Sequence, residues 1–275
     1  MNVLKQSRWS LFLRYVFLIL VTLFFLLPFI WILRCSLITK AEAYMIPPNW
    51  TAKLTLENYV SVFKQNTFGK YFINSLVIAL ASTLLSILLG AMASYWIARI
   101  SKRPNPVKIC ILCTQMIPPV VLVIPLALII NNLHLGDTYI ALIVAYLTFN
   151  LPYVIWQLIS FFQSIPKELD EASEVDGCTR LQAYFRIILP LAMPGIMASG
   201  VYCFIISWNE FMFANNFSGL TTRTVPVAIA ALETQNGLQV AELCASCIVA
   251  ILPVVLLSIF IKKYLVNGLT FGSIK

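Results

Sequence analysis

The chain alternates between long apolar runs and shorter polar connections. Six apolar windows are each long enough for a helix to cross the roughly 30 Å hydrocarbon layer, which takes about 20 residues. They cover approximately residues 15–33, 71–98, 109–130, 139–162, 191–213 and 243–261. The two longest polar connections are 34–70 and 163–190. The pattern predicts an all-α polytopic membrane protein with six transmembrane helices in a single domain, 1–275.

Composition supports a membrane environment. Of the 275 residues, 60% are hydrophobic and only 11% are charged, whereas a soluble domain has about 25% charged residues to cover its surface. The net charge of +8 does not indicate nucleic-acid binding, because the basic residues lie in short groups between apolar runs. The first run is longer than the apolar core of a signal peptide, so we expect it to remain as a membrane helix.

The distribution of Lys and Arg predicts the orientation. Thirteen of the nineteen fall on one side of the six predicted spans: Lys5, Arg8, Arg14, Arg99, Lys102, Arg103, Lys108, Lys167, Arg180, Arg186, Lys262, Lys263 and Lys275. The other side has Arg34, Lys40, Lys53, Lys64, Lys70 and Arg223. The positive-inside rule therefore places both termini and the 163–190 connection in the cytoplasm.

Small residues and prolines within the runs predict how the helices pack and bend. Gly90–Ser94 and Gly195–Ser199 have the small-xxx-small spacing that lets helix backbones approach closely. We expect prolines in two runs to bend or locally break their helices, either as tolerated kinks or as hinges. These prolines are Pro28, Pro118, Pro119 and Pro125.

The 163–190 connection is acidic in a basic protein. Five of the eleven acidic residues lie within 168–176: Glu168, Asp170, Glu171, Glu174 and Asp176. With Lys167, Arg180 and Arg186 included, the segment still has a net charge of −2. A segment that lies on an anionic lipid leaflet is basic, so we expect a protein surface with Arg or Lys as the partner. A connector that only solvates itself is the alternative.

Local signals in this connection predict two short helices. Pro166 suits the first turn of the first helix, and acidic residues follow it near the positive end of the helix dipole. Leu169, Ala172 and Val175 recur at helical spacing as an apolar stripe. Gly177 supplies the left-handed conformation that ends such a helix.

The second helix has its own signals. Thr179 followed by Gln182 is a capping box at its start. Leu189-Pro190 is expected to stop the helix at the membrane.

Two motifs of this connection resemble the EAA motif of ABC-importer permeases: Glu171-Ala172-Ser173-x-x-Asp176-Gly177 and Ile187-x-Leu189-Pro190. Ser173 and Cys178 depart from the usual alanines, but both are small. The resemblance implies a type I ABC-importer permease fold in which this segment forms coupling helices in a cleft of a cytoplasmic ATPase. The coupling residues that it implies are Glu168, Glu171, Ala172, Ser173, Asp176, Gly177, Leu189 and Pro190.

Further segments are similar to the maltose-type permeases. They include Thr55-Leu-Glu-Asn-Tyr59, Asn74-Ser-Leu76, Tyr95-x-x-Ala98-Arg99, Leu151-Pro152, Trp208-Asn-Glu-Phe211 and Gly268-Leu-Thr-x-Gly272-x-x-Lys275. The resemblance implies a carbohydrate importer in a bacterial or archaeal cytoplasmic membrane. It also implies three kinds of protein partner: a second permease, two ATPase subunits and an external solute-binding protein.

The chain lacks a nucleotide-binding signature of its own. Nothing in it matches G-x-x-x-x-G-K-[ST], because Lys64 stands where the first Gly before Gly69-Lys70 is needed. We therefore expect ATP and Mg²⁺ to bind the partner ATPases, with no cofactor on this chain, which is expected to be a non-catalytic subunit.

A few polar and aromatic residues are candidates for the substrate pathway. Glu210 is ionisable and lies late in the fifth run, where such residues are functional candidates. A carboxylate binds sugar hydroxyls and a Trp face stacks on a pyranose; the alternative is that Glu210 caps or pairs locally, with Trp208 as an interfacial aromatic anchor. The full candidate set is Tyr146, Asn150, Tyr153, Trp156, Trp208, Asn209 and Glu210.

Three other interpretations fit the sequence less well. The Cys110-x-x-Cys113 and Cys244-x-x-Cys247 pairs have zinc-like spacing, but the topology puts them on opposite sides of the membrane. An intramembrane protease needs a histidine base in the membrane, whereas His134 is the only histidine and lies in a short loop. An ion-coupled secondary transporter, which uses carboxylates near the bilayer midplane, is the remaining alternative.

Overall fold

The computed structural model describes residues 8–64, 67–100, 106–234 and 237–271. Its helices and strands are α1 (Arg8–Ser36), α2 (Lys40–Ala43), α3 (Glu57–Lys64), α4 (Phe68–Tyr95), α5 (Pro106–Gln115), α6 (Pro119–Asn132), α7 (Tyr139–Ser164), α8 (Glu168–Val175), α9 (Arg180–Ala183), α10 (Leu189–Leu191), α11 (Met193–Trp208), α12 (Met212–Phe217), α13 (Val225–Ala230), β1 (Glu233–Thr234), β2 (Gly237–Leu238) and α14 (Val240–Phe271). Two π-helical turns, Trp96–Ile100 and Tyr184–Ile188, follow α4 and α9. Lys5, Lys102, Arg103, Gly272 and Lys275, which entered the orientation and family arguments, lie outside the described residues.

The chain forms two compact units, residues 1–68 with 231–251 and residues 69–230 with 252–275. In the first unit, α1 is apolar on all sides, and most of the side chains along it are exposed. A helix of this kind is stable where its surroundings are apolar, as in a bilayer. The antiparallel β1–β2 pair, with Glu233 opposite Leu238, is the only sheet among the described residues.

Buried polar side chains hold the first unit together next to the end of α1. The Asn58 amide donates to the carbonyls of Ser36 and Ile38 at 2.9 and 2.7 Å. Glu242, in the first turn of α14, is only 2% exposed. Its carboxylate pairs with Lys40 Nζ at 2.7 Å and accepts a hydrogen bond from Ser61. Glu242 is thus a buried acid that the sequence argument did not single out.

Close helix packing forms the core of the second unit, and it confirms the role predicted for two glycines. A Cβ at Gly90 would lie 2.6 Å from Val154 on α7, and a Cβ at Gly195 would lie 2.4 Å from the Phe161 ring. The Ser94 hydroxyl also donates to the Ile155 carbonyl at 3.2 Å. A larger residue at either glycine would force α7 away from α4 or α11.

Among the described residues, four helices are long and apolar enough to span a membrane, and two further apolar pairs are bent. The pair α5 and α6 meets at 94°, with Pro118 extended and Pro119 beginning α6. Pro28 and Pro125 remain inside continuous helices. The prediction that prolines break the third run is therefore confirmed at Pro118 and Pro119, while Pro28 and Pro125 are tolerated.

The fifth predicted span, 191–213, extends past the end of the helix that the structure has there. The helix begins at Met193, and it ends at Trp208. Residues 209–211 interrupt it before the short α12 begins at Met212. Apolar residues flank the polar pair Asn209-Glu210 on both sides, so the average over a sliding window stays apolar across the interruption.

Candidate functional site

The connection between α7 and α11 begins with α8, whose first turn has Glu168, Asp170 and Glu171. Negative charges here face the unpaired N–H groups and the positive end of the helix dipole. Pro166 precedes the capping residue Lys167 instead of lying in the first turn. Its predicted place inside the helix is therefore wrong by two positions.

Arg99 anchors α8 to the π-helical turn that follows α4. Its Nε lies 3.4 Å from Asp170 Oδ2, and its guanidinium donates to the Ile165 carbonyl at 2.7 Å. The Tyr95 hydroxyl donates to Asp170 Oδ1 at 3.2 Å. Because the Arg99 side chain is only 4% exposed, water screens this pair far less than it screens a surface ion pair.

The apolar stripe predicted on α8 is divided between two environments. Leu169 packs against the buried cluster that contains Tyr95 and Phe162. Ala172 is exposed, and Val175 is 88% exposed. Ser173 is instead the buried residue of this helix, and its hydroxyl donates to the Asp170 carbonyl at 2.7 Å. The helix thus has the predicted spacing, but α8 contacts the helix bundle through Leu169 and Ser173, and the rest of the stripe is exposed.

Gly177 ends α8 as predicted. Its φ of +78° is in the left-handed region, which costs a residue with a Cβ but not glycine. The N–H of Cys178 donates to the Ser173 carbonyl at 2.9 Å, and that of Gly177 to the Glu174 carbonyl at 3.1 Å. These two bonds form a Schellman motif, so the chain reverses here without leaving the helix end unsatisfied.

The predicted capping box at Thr179 and Gln182 is also confirmed, with both side-chain-to-backbone bonds present. The helix then continues through the second π-helical turn and Pro190 to Leu191. The helix therefore ends one residue after Pro190, close to the predicted stop. The chain turns by 74° immediately after Leu191.

Ion pairing divides the acidic residues of this segment into two groups. Asp170 pairs with Arg99, and Glu174 lies 3.6 Å from Arg180. Of the ion pairs found in the described ranges, none includes Glu168, Glu171 or Asp176. All three are exposed, and so are two apolar residues of the second helix, Leu181 and Phe185. We call Glu171, Val175, Asp176, Leu181 and Phe185 the coupling surface.

The other residues implied by the resemblance have mixed environments. Glu168, Ala172, Gly177 and Pro190 are exposed, Leu189 is half-buried, and Ser173 is buried. A protein partner that docks on this segment would thus touch both charged and apolar side chains.

A cavity of about 690 Å³ lies where α5 meets α6, bordered by α7, α11 and α12. Tyr153 and Tyr202 stack beside it with ring centroids 4.0 Å apart. Glu210 stands before α12, and its carboxylate accepts the N–H groups of Phe213 and Ala214 at 2.8 and 3.0 Å. Glu210 thus caps a helix, which is one of the two roles considered for it, and it does so at the cavity wall.

The structure divides the seven candidate pathway residues. Asn150, Tyr153, Asn209 and Glu210 line the cavity, together with Gln115 and Tyr202, which the sequence argument did not include. Tyr146 is 1% exposed in a core cluster, and Trp208 is 2% exposed between Phe72 and Phe204. Because Trp208 is so deeply buried, it is not an interfacial anchor.

Trp156 and Asn150 each have a partner outside the cavity lining. Trp156 is not among the cavity-lining residues, and the Lys108 ammonium lies 5.2 Å from its ring centroid. Asn150 borders the cavity but is largely buried, and its amide donates to Ser207 at 2.7 Å. Gln115 and Tyr202 had no sequence signal, because an isolated polar residue within an apolar run does not reveal which face it occupies.

Asp137 lies in the connection between α6 and α7, and its carboxylate holds the loop that follows α12. Its carboxylate accepts the N–H groups of Gly219, Thr221 and Thr222 and the hydroxyl of Thr222, at 2.7–3.0 Å. Burial by itself would raise the pKa of this carboxyl, but the four hydrogen bonds lower it well below its usual range.

The sequence matches a known protein family and is similar to several known permeases. Residues 86–270 match the family model described as binding-protein-dependent transport system inner membrane component. The trehalose/maltose transport system permease protein MalG of Thermococcus litoralis is 36% identical, with 94% of each chain covered. The sulfoquinovosyl glycerol transport system permease protein SmoH of Agrobacterium fabrum is also 36% identical, with 91% of this chain and 89% of the relative covered.

A solved structure shares the fold. It is a bacterial ABC transporter involved in the import of the acidic polysaccharide alginate, and the TM-score is 0.75. The alignment covers 94% of this chain and 98% of the other at 20% identity. At that identity the likeness concerns the fold alone.

Proposed function

Because the chain belongs to the family of binding-protein-dependent transport system inner membrane components, we propose that it is the membrane permease subunit of an ATP-driven carbohydrate importer. Its relatives MalG and SmoH are named for trehalose/maltose and for sulfoquinovosyl glycerol. The proposed complex has a second permease, two ATPase subunits and an external solute-binding protein. ATP and Mg²⁺ bind the ATPases, and this chain catalyses no reaction itself.

In the proposed topology, the six spans are α1, α4, the bent pair α5–α6, α7, α11 and α14. Both termini and the α8–α10 segment lie in the cytoplasm, as the distribution of Lys and Arg predicts. The charge of that segment suits a protein cleft that supplies Arg or Lys. The coupling surface would then bind the ATPase, with Glu171 and Asp176 making charge-assisted contacts and the apolar side chains filling the cleft.

The observation that carries this proposal is the attachment of α8 at its base. The exposed end of α8 is available to a partner, while Asp170 at its start forms an ion pair with Arg99 and accepts a hydrogen bond from Tyr95. A rigid-body movement of an ATPase cleft would therefore shift α4 together with α8. Because the bundle has two access states, such a shift changes which state is favoured.

The test uses the full complex in proteoliposomes loaded with ATP, supplied with the binding protein and radiolabelled trehalose or maltose. We expect uptake to need both ATP and the binding protein, and to persist when ionophores collapse the ion gradients. Uptake that stops with the ionophores and ignores ATP would instead identify an ion-coupled secondary transporter. Vesicles whose ATPases have a disabled nucleotide site are the matched control.

A further inference from the structure

The charges around the cavity at the α5–α6 bend restrict what it can bind. Of the described residues that line it, Glu210 is the only ionisable acid, and neither Lys nor Arg is present. The Glu210 carboxylate already accepts two backbone N–H groups, so it is fixed at the start of α12. A second anion in this cavity would lose its hydration without gaining a cation, and it would face an acid of the same sign.

The polar groups that remain are neutral. Gln115 and Asn209 are exposed at the cavity, and the Asn209 amide nitrogen donates to the Ile205 carbonyl at 2.8 Å. The hydroxyl groups of Thr114 and Thr148 bond to carbonyls one turn earlier in their own helices. Amide and phenol groups donate to and accept from sugar hydroxyls without requiring a charge on the ligand.

The Tyr153–Tyr202 pair adds an aromatic surface. The two rings are stacked at 4.0 Å with an interplanar angle of 25°, and Tyr202 is 45% exposed. A stacked partner holds the exposed ring in one orientation, which reduces the entropy lost when a ligand packs against it. Phe149 and Phe211 also line the cavity. Aromatic faces with a few neutral polar groups form a binding site for the apolar C–H face and the hydroxyls of a sugar ring.

We infer that this cavity selects uncharged sugars over sugars with a carboxylate or sulfonate, and that Tyr202, supported by Tyr153, is the ring on which the sugar stacks. The inference rests on the proposed function, because it assigns the substrate class at the same site. Charged carbohydrates are the relevant comparison, since the solved neighbour is involved in the import of an acidic polysaccharide and SmoH is named for sulfoquinovosyl glycerol.

The experiment measures binding to the complete permease–ATPase complex in nanodiscs without the solute-binding protein, so that the binding protein does not select the ligand first. Saturation-transfer NMR is recorded with maltose, trehalose and cellobiose, and with cellobiouronic acid as the charged analogue. We expect at least one neutral disaccharide to bind, and the uronate to bind at least about tenfold more weakly than cellobiose.

Variants then locate the binding. Tyr202→Ala is expected to weaken binding of the neutral sugar about tenfold, whereas Tyr202→Phe retains it because the ring remains. Tyr15→Ala removes an exposed tyrosine from α1 and is the matched control. Gln115→Lys is expected to improve binding of the uronate.

The inference is overturned if cellobiouronic acid and cellobiose bind equally, if none of the neutral sugars binds, or if Tyr202→Ala behaves like Tyr15→Ala. Any of these three outcomes would refute only the inference, because ATP-dependent carbohydrate uptake in proteoliposomes would still be observed. Loss of that uptake for every carbohydrate tested would refute the proposed function instead, so the two failures are distinguishable.

Discussion

Arg99 and Asp170 form an ion pair between the turn after α4 and the first turn of α8, with Nε and Oδ2 3.4 Å apart. Seventy-one positions separate them in the chain. The guanidinium also donates to the Ile165 carbonyl, so α8 is attached both through a side chain and through the backbone before it. This attachment makes α8 a part of the helix bundle and gives the coupling surface a fixed base.

We predict that Arg99→Gln and Asp170→Asn each reduce sugar uptake per ATP hydrolysed by several-fold. Either change leaves a charge without its partner, so α8 can move without α4. The double variant should be no worse than the poorer single variant, since both remove the same contact. Glu174→Gln, which alters an exposed pair with Arg180, is the control and should have little effect. Additive losses would contradict a shared contact.

Charge reversal on the coupling surface should prevent ATPase docking. Glu171→Lys is expected to lower both assembly of the complex and uptake about tenfold or more, because it brings like charges together at the interface. Glu57→Lys reverses another exposed acid at the start of α3 and should leave both unchanged. The measurements are co-purification of the ATPase and uptake in proteoliposomes. Equal behaviour of the two variants would refute the role of Glu171.

The bend at Gly177 should not tolerate a β-branched residue. Gly177→Val places a Cβ at φ +78°, with an expected strain of about 1–3 kcal/mol. We expect uptake to fall because the Schellman motif opens and the second helix changes direction. Gly136→Val is the control, since that glycine lies in a loop with open space around it and no positive φ. A Gly177→Val protein with normal uptake would show that the bend is dispensable.

Asp137 should make stability depend on pH in the acid range. Its folded-state pKa lies below the unfolded value of about 3.9. Its contribution is therefore complete above pH about 5 and is lost as the pH falls through the unfolded pKa toward the folded pKa. Asp137→Asn turns an amide toward the N–H donors of Gly219 and Thr222, so it should lower the melting temperature.

The measurement for Asp137 is thermal unfolding of the purified protein in detergent between pH 7 and pH 3.5. The gap between the original protein and Asp137→Asn should stay constant down to pH 5 and narrow below about 4. Glu57→Gln, at an exposed acid, provides the matched control. A gap that closes already at pH 6, or none at pH 7, would contradict this account.

Local features were predictable from the sequence because their causes lie within a few residues. The turn at Gly177 needs a residue that tolerates positive φ, and the capping box needs Thr179 and Gln182 three positions apart. Gly90 and Gly195 were identified by spacing alone, since little else explains paired small residues in an apolar run. The apolar runs themselves predicted a membrane protein with long helices.

Other local patterns did not show the tertiary environment of their residues. Leu169 and Val175 have the spacing of one stripe, but only Leu169 reaches the bundle. The interruption at 209–211 was hidden because both sides of it are apolar.

What the sequence by itself determined, then, is a membrane protein of long apolar helices, the acidic connection and the turns within it, because hydropathy, charge and backbone preference act over short distances. Tertiary structure alone decided that Arg99 meets Asp170, that Tyr202 stacks on Tyr153, and that Glu242 is buried beside Lys40. Each of these pairs joins residues more than 45 positions apart. Their contact depends on how whole helices rotate and cross, and no local pattern encodes that geometry.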